Sequence, residues 1–144
     1  MQFPNVASIL LGNDRAISVR FIALAVCLSA LSFGAAEILG PNSSAFLWIT
    51  AGYNALFLAA VLVCLAELCG YHRSGILIAC LLTFTPLFAL FVSGIGIGFT
   101  TGPITPLRLV ITATEGALLY GIPLGVLGFF LGTVVRRVVR PNPY

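Results

Sequence analysis

Residues 107–135 read LRLVITATEGALLYGIPLGVLGFFLGTVV, the longest apolar run in the chain and the one from which its architecture follows. An α-helix rises about 1.5 Å per residue, so roughly 20 residues cross the ~30 Å of hydrocarbon in a bilayer. This run is longer than that. Arg108 stands at its start and Arg136 and Arg137 follow its end. An apolar helix with cations at its ends has the pattern of a membrane span.

Working back from it, three further runs are also long enough to cross: Val19 to Leu39, Ala45 to Cys69 and Gly75 to Gly98. What separates them is turn chemistry. Gly40, Pro41, Asn42, Ser43 and Ser44 form the first break, Gly70 to Ser74 the second, and the Thr/Gly/Pro run Phe99 to Pro106 the third. Links this short make sequential helices antiparallel. The expected fold is an all-α membrane protein, a four-transmembrane-helix antiparallel bundle. Residues 1–18 form a cytoplasmic arm in which Val6 to Leu11 offers an interfacial turn, 19–135 the membrane domain, and 136–144 a basic cytoplasmic tail.

Composition agrees: 60% of the 144 residues are apolar and 8% are charged, where a soluble domain carries about a quarter charged residues. One domain is all this length allows, so no separate soluble catalytic domain is expected. The charges are unevenly placed. Arg15, Arg20, Arg73, Arg136, Arg137 and Arg140 fall on one side of a four-span arrangement and only Arg108 on the other. The positive-inside rule puts the richer side, with both termini, in the cytoplasm and the chain in the cell membrane. Nucleic-acid binding is not expected, since the net charge of +3 sits at span ends. Gly34, Ala35 and Ala36 would also suit a signal-peptide cleavage site, but the apolar stretch before them exceeds a signal core and its leading segment is long.

Helices in lipid associate mainly through small residues that let backbones approach. Ala30 and Gly34, then Ala51, Ala55 and Ala59, then Gly94 and Gly98 stand four apart, as do Gly121 with Gly125 and Gly128 with Gly132. These predict small faces on every helix. The last helix either packs internally through its glycines or uses them for a homo-oligomer or a membrane protein partner. Pro86 and Pro123 predict kinks at similar depth. Thr83 and Thr85 lie close enough to Pro86 for their hydroxyls to satisfy the carbonyl it frees.

Few side chains could carry chemistry. Glu115 lies about 12 Å from the start of the last span at helical rise, and intramembrane carboxylates usually face a bundle interior or a polar partner. Asn54 and Thr50 on the second span, and Thr112 one turn before Glu115, are the expected company. Such a set serves either as a polar clasp fixing helix register or as a proton or cation site. The cysteines at 27, 64, 69 and 80 contain no C-x-x-C, and His72 is the only histidine, which leaves neither a dithiol nor a two-histidine haem site. Glycines 94, 96 and 98 lack the Lys-Ser/Thr of a phosphate loop, and no hydrolase motif occurs. No cofactor or metal is therefore expected, and no enzymatic activity. Packing surfaces are plentiful and reactive groups scarce. That predicts a non-enzymatic accessory or assembly subunit of a membrane complex, with a small oligomeric transporter or channel using Glu115 as the alternative.

Overall fold

A computed structural model of the chain describes residues 10, 15–39, 53–72, 74–93 and 105–139. They are all-helical. The four helices are α1 (Arg15–Leu39), α2 (Tyr53–Tyr71), α3 (Ile76–Val92) and α4 (Pro106–Val139). Two carry segments long and apolar enough to cross a membrane, Ala16–Ala35 in α1 and Pro106–Val139 in α4, whereas Leu56–Tyr71 and Ile76–Val92 are shorter apolar helices. The arm before residue 15, apart from Leu10, the first loop, the Gly94/Gly98 face and most of the Thr/Gly/Pro link lie outside the described residues.

Local chemistry fixes the ends. At the start of α4 the Thr105 side-chain oxygen accepts the Arg108 N–H at 3.3 Å, with Pro106 in the first helical position, where its missing N–H costs no helical bond. α4 then runs past Val135 through Arg136 and Arg137 to Val139, four residues beyond the expected span. Cations are favourable in a last helical turn, where the free carbonyls carry partial negative charge. Between α2 and α3 the chain reverses tightly. The His72 N–H bonds to Leu68 O and the Ser74 N–H to Cys69 O, both at 3.0 Å, and Gly75 takes φ 94°, a conformation that suits a residue without Cβ.

The core sits near this turn. Ala25, Ala66, Cys69, Ile78, Ala79 and Leu82 are buried together, with Phe21, Leu28, Leu65 and Phe129 packed around them. α3 is the central helix, packed against α1, α2 and α4, while α4 lies on both α2 and α3 and α1 lies chiefly on α3. Their directions follow from the residues that meet. Gly125 abuts Cys80 while Gly121 abuts Phe84, so α4 and α3 are antiparallel; Gly128 abuts Ala66 and Gly132 abuts Tyr71, so α4 and α2 are parallel. Ser18 meets Ser74 and Ser29 meets Thr85, which makes α1 parallel to α3.

The small face expected on the first helix is not where α1 packs. Ala30 is exposed, and a Cβ added at the half-buried Gly34 would meet nothing within 4 Å among the described residues. Ser18, Ala25 and Ser29 form the contact instead. The reason is polar: hydroxyls on this face hydrogen-bond to α3 and to the turn that precedes it, which a face of Ala and Gly cannot do.

Candidate functional site

The feature that organises the molecule is a seam along α4. Its buried residues are Ala113, Ala117, Gly121, Gly125, Gly128 and Gly132, and nothing larger than alanine is among them. Steps of four and three residues keep all six on one stripe. Their smallness is needed. A Cβ built at Gly121 would lie 2.9 Å from Phe84 Cα, and at Gly125 it would lie 2.7 Å from Cys80 Cα; at Gly128 it would lie 2.6 Å from Val63 O, and at Gly132 it would run into Glu67 O. Backbone cannot yield as a side-chain tip can. The N-terminal half of the glycine seam, Gly121 and Gly125, therefore seats α3, and the C-terminal half, Gly128 and Gly132, seats α2. Gly70 of α2 answers in kind, since a Cβ there would strike Phe129 O.

One hydroxyl crosses this seam. Thr83 is fully buried and its Oγ1 lies 2.6 Å from Gly121 O, closer than to Cys80 O at 3.0 Å or Ala79 O at 3.3 Å within its own helix. The same oxygen is 2.8 Å from where a Gly125 Cβ would stand. Glycine at 125 thus makes room for the hydroxyl that bonds to Gly121. On the opposite side of α3, Thr85 Oγ1 donates to Ala25 O at 3.3 Å and Ser29 Oγ donates to Thr85 O at 3.4 Å, a reciprocal link to α1. The two threonines were expected to satisfy the carbonyl that Pro86 frees in its own helix; they bond across to α4 and α1 instead. Helix-to-helix pairing wins because both side chains project into interfaces. Pro86 is buried and Pro123 exposed, and both lie inside uninterrupted helices.

The residues singled out for possible chemistry are placed as follows. Glu115 is exposed, on the side of α4 away from Ala113 and Ala117. Thr112 is half-buried, while Thr50 and the side chain of Asn54 lie outside the described residues. Extending the Gly116–Phe91 contact by one residue brings Glu115 level with Val92, and carrying the Ala66–Gly128 register back brings it level with Tyr53. Glu115 is thus level with the ends of α2 and α3 but on the side of α4 that faces away from the packed stripe. Next to it, a Gly116 Cβ would meet the Phe91 ring at 3.1 Å, and that ring stacks on Tyr120 with centroids 6.4 Å apart. All four cysteines are free; Cys27 and Cys64 are exposed, Cys69 buried and Cys80 half-buried. Among the described residues no three of His, Cys, Asp and Glu gather in a way that could hold a metal ion.

The family profile of a domain of unknown function, DUF8071, matches residues 11–142, a stretch that contains all four helices. The chain belongs to the DUF8071 family. No curated protein and no solved structure matches it. The α4 seam, the Thr83 crossing and the α1–α3 hydroxyl pair all fall inside the DUF8071 domain, whereas Tyr144 and Pro143 lie outside the match. Several packing residues were not singled out from the sequence: Gly70 and Gly116, and Ser18 with Ser29. The serines carried a usable signal, since with Ala25 they share one helical face that no other polar run on α1 continues.

Proposed function

We propose that this DUF8071 member is a multi-pass integral protein of the cell membrane, with four spans and cytoplasmic termini, acting as a non-enzymatic accessory or assembly subunit. The observation that carries this reading is how little of the apolar helices is covered. Only 11% of the apolar window in α1 and 22% of that in α4 is buried. A core helix of a soluble protein is mostly buried; these are not. The outward side chains are large, among them Ile38, Phe57, Leu119 and Val138, exposed by 87%, 71%, 67% and 75%. Leaving one such side chain in water forgoes roughly 1.5–3 kcal/mol of burial, and soluble monomers rarely expose apolar patches beyond about a few hundred Å². Lipid or another apolar helix is the surface that meets this demand.

Two features extend the reading. Among the described arginine side chains, Arg20, Arg136 and Arg137 collect at the end of the molecule that holds the α2–α3 turn and Arg108 stands at the other, which supports cytoplasmic termini. The accessory role rests on the contrast between tightly seated inner faces and broad outer ones, with α1 held chiefly by α3, Ala30 exposed and room for a Cβ at Gly34. Such a side is available to a partner helix. The second reading, a small oligomeric transporter or channel, is favoured by one observation. Glu115 faces out of the bundle, where a neighbouring subunit would have to cover its carboxylate.

The test has two steps. Alkaline carbonate should leave the tagged chain in the membrane pellet, and a reporter fused after Tyr144 should read as cytoplasmic. Purification in mild detergent should then bring down another membrane protein in fixed proportion. Release by carbonate would refute the membrane reading, and a homogeneous homo-oligomer without partner would shift the function to the transporter.

A further inference from the structure

The end of the molecule around the α2–α3 turn brings arginine side chains from two helices, α1 and α4, together beside His72 of the turn. Ser18 Oγ donates to Ser74 O at 3.4 Å, and the Phe21 ring lies 6.3 Å from His72, which ties the start of α1 to the turn. Gly132 abuts Tyr71, which ties the last turns of α4 to the same place. Arg20 precedes Phe21, and Arg136 lies one turn past Gly132, so Arg20, His72, Arg136 and Arg137 ring the turn. Arg20, His72 and Arg137 are exposed and Arg136 is half-buried. The carboxylate nearest in sequence to the turn, Glu67, is half-buried with its backbone under Gly128 and Gly132, and among the described residues no ion pair joins it to these arginines.

We infer that this rim binds the headgroups of anionic phospholipids, with Arg20, Arg136 and Arg137 as the principal contacts. The inference rests on the membrane reading above, because only a chain seated in a bilayer presents these side chains at headgroup level. Charge complementarity selects the ligand. Guanidinium groups pair bidentately with phosphate oxygens, and three of them with no carboxylate partner among the described residues leave a local excess of positive charge there. Arg136 and Arg137 are adjacent on a helix and splay to different sides, so with Arg20 across the turn they reach more than one phosphate. A zwitterionic headgroup carries its own cation and gains less.

The experiment uses the full chain in dodecyl maltoside with equal amounts of phosphatidylcholine and phosphatidylglycerol of the same acyl chains, and native mass spectrometry to count which lipid stays bound. Retention should favour phosphatidylglycerol. Each arginine near an anionic surface contributes about a fivefold preference, so the Arg136→Gln/Arg137→Gln variant should lose more than tenfold of it. Arg108→Gln, at the other end of the molecule, should lose none. Equal retention of the two lipids by the wild-type chain overturns the inference, as does an unchanged preference in the double variant with native helicity. Stabilisation by inorganic phosphate equal to that by phosphatidylglycerol also overturns it, since the site would then take the free ion. A failure of the membrane reading would appear separately, as a chain that leaves the membrane in carbonate.

Discussion

Replacing Gly132 by alanine tests the seam most directly, because two effects oppose each other and the structure decides between them. In a helix interior, Gly to Ala gains up to about 1 kcal/mol of backbone entropy and propensity. At position 132 the new methyl group would overlap Glu67 O and crowd Glu67 C at 2.8 Å and Tyr71 N at 2.9 Å, all of them backbone atoms. No rotamer change relieves that, so α2 and α4 must part. Overpacking of this kind costs about 1–3 kcal/mol or more, and the parted helices also lose dispersion contacts along Gly128 and Gly70. The expected net effect is a loss of about 2 kcal/mol. Gly34→Ala is the internal control: among the described residues nothing lies within 4 Å, so only the propensity term acts and the chain should be unchanged or slightly more stable. Both are read by reversible unfolding in SDS–detergent mixtures, followed by loss of helical circular dichroism. A Gly132→Ala chain as stable as wild type would refute the seam, and so would equal destabilisation by Gly34→Ala.

Thr83→Val should cost about 0.5–1.5 kcal/mol in the same assay, since it leaves Gly121 O with its helical donor alone, while Thr83→Ser should recover most of the loss. In detergent, N-ethylmaleimide should modify Cys27 and Cys64 before Cys80 and reach Cys69 only on unfolding, as peptide mapping by mass would show; early labelling of Cys69 would mean that the core near the turn is open. Replacing Ser18 and Ser29 together by alanine should speed amide hydrogen exchange in α1 by several-fold and leave the α4 seam protected, because α1 is held mainly through α3. Glu115→Gln should shift the monomer's unfolding by less than about 0.5 kcal/mol, as an exposed side chain does; a change in oligomer size by light scattering would instead favour the transporter reading.

How much of this was legible in the sequence differs from feature to feature. The glycines at 121, 125, 128 and 132 stood out because their spacing and their lack of a Cβ are properties of the letters themselves. Their partners did not, since nothing in the spacing distinguishes α2 from α3 as the helix received at a given glycine. On α1 the same logic picked Ala30 and Gly34, yet the helix packs through Ser18, Ala25 and Ser29. Small size permits close approach, but a hydroxyl that finds a carbonyl across the interface adds a directed bond, and the sequence does not say which carbonyls will face it. Thr83 and Thr85 illustrate the same limit: both were placed beside Pro86 by numbering, and both turned outward to other helices. Glu115 was picked by its charge within an apolar run, but which side of α4 it occupies depends on which stripe the helix buries.

That stripe also bears on what kind of surroundings the chain requires. In water, a helix seam made only of alanine and glycine buries little apolar area, and at about 25 cal/mol per Å² it offers a weak drive to fold. Thr83 and the serines of α1 add few bonds to that, so among the described residues the larger apolar burial is confined to the cluster around Ile78 and Leu82, while the exposed side chains are rich in leucine, isoleucine, valine and phenylalanine. In a bilayer the outer side chains are solvated by lipid tails at no cost, and the close backbone approach permitted by Gly121, Gly125, Gly128 and Gly132 supplies van der Waals contact and short polar crossings in their place. The same substitution, Gly132→Ala, therefore probes more than one contact: in this architecture a single methyl group on the seam removes a large share of what holds α2 to α4.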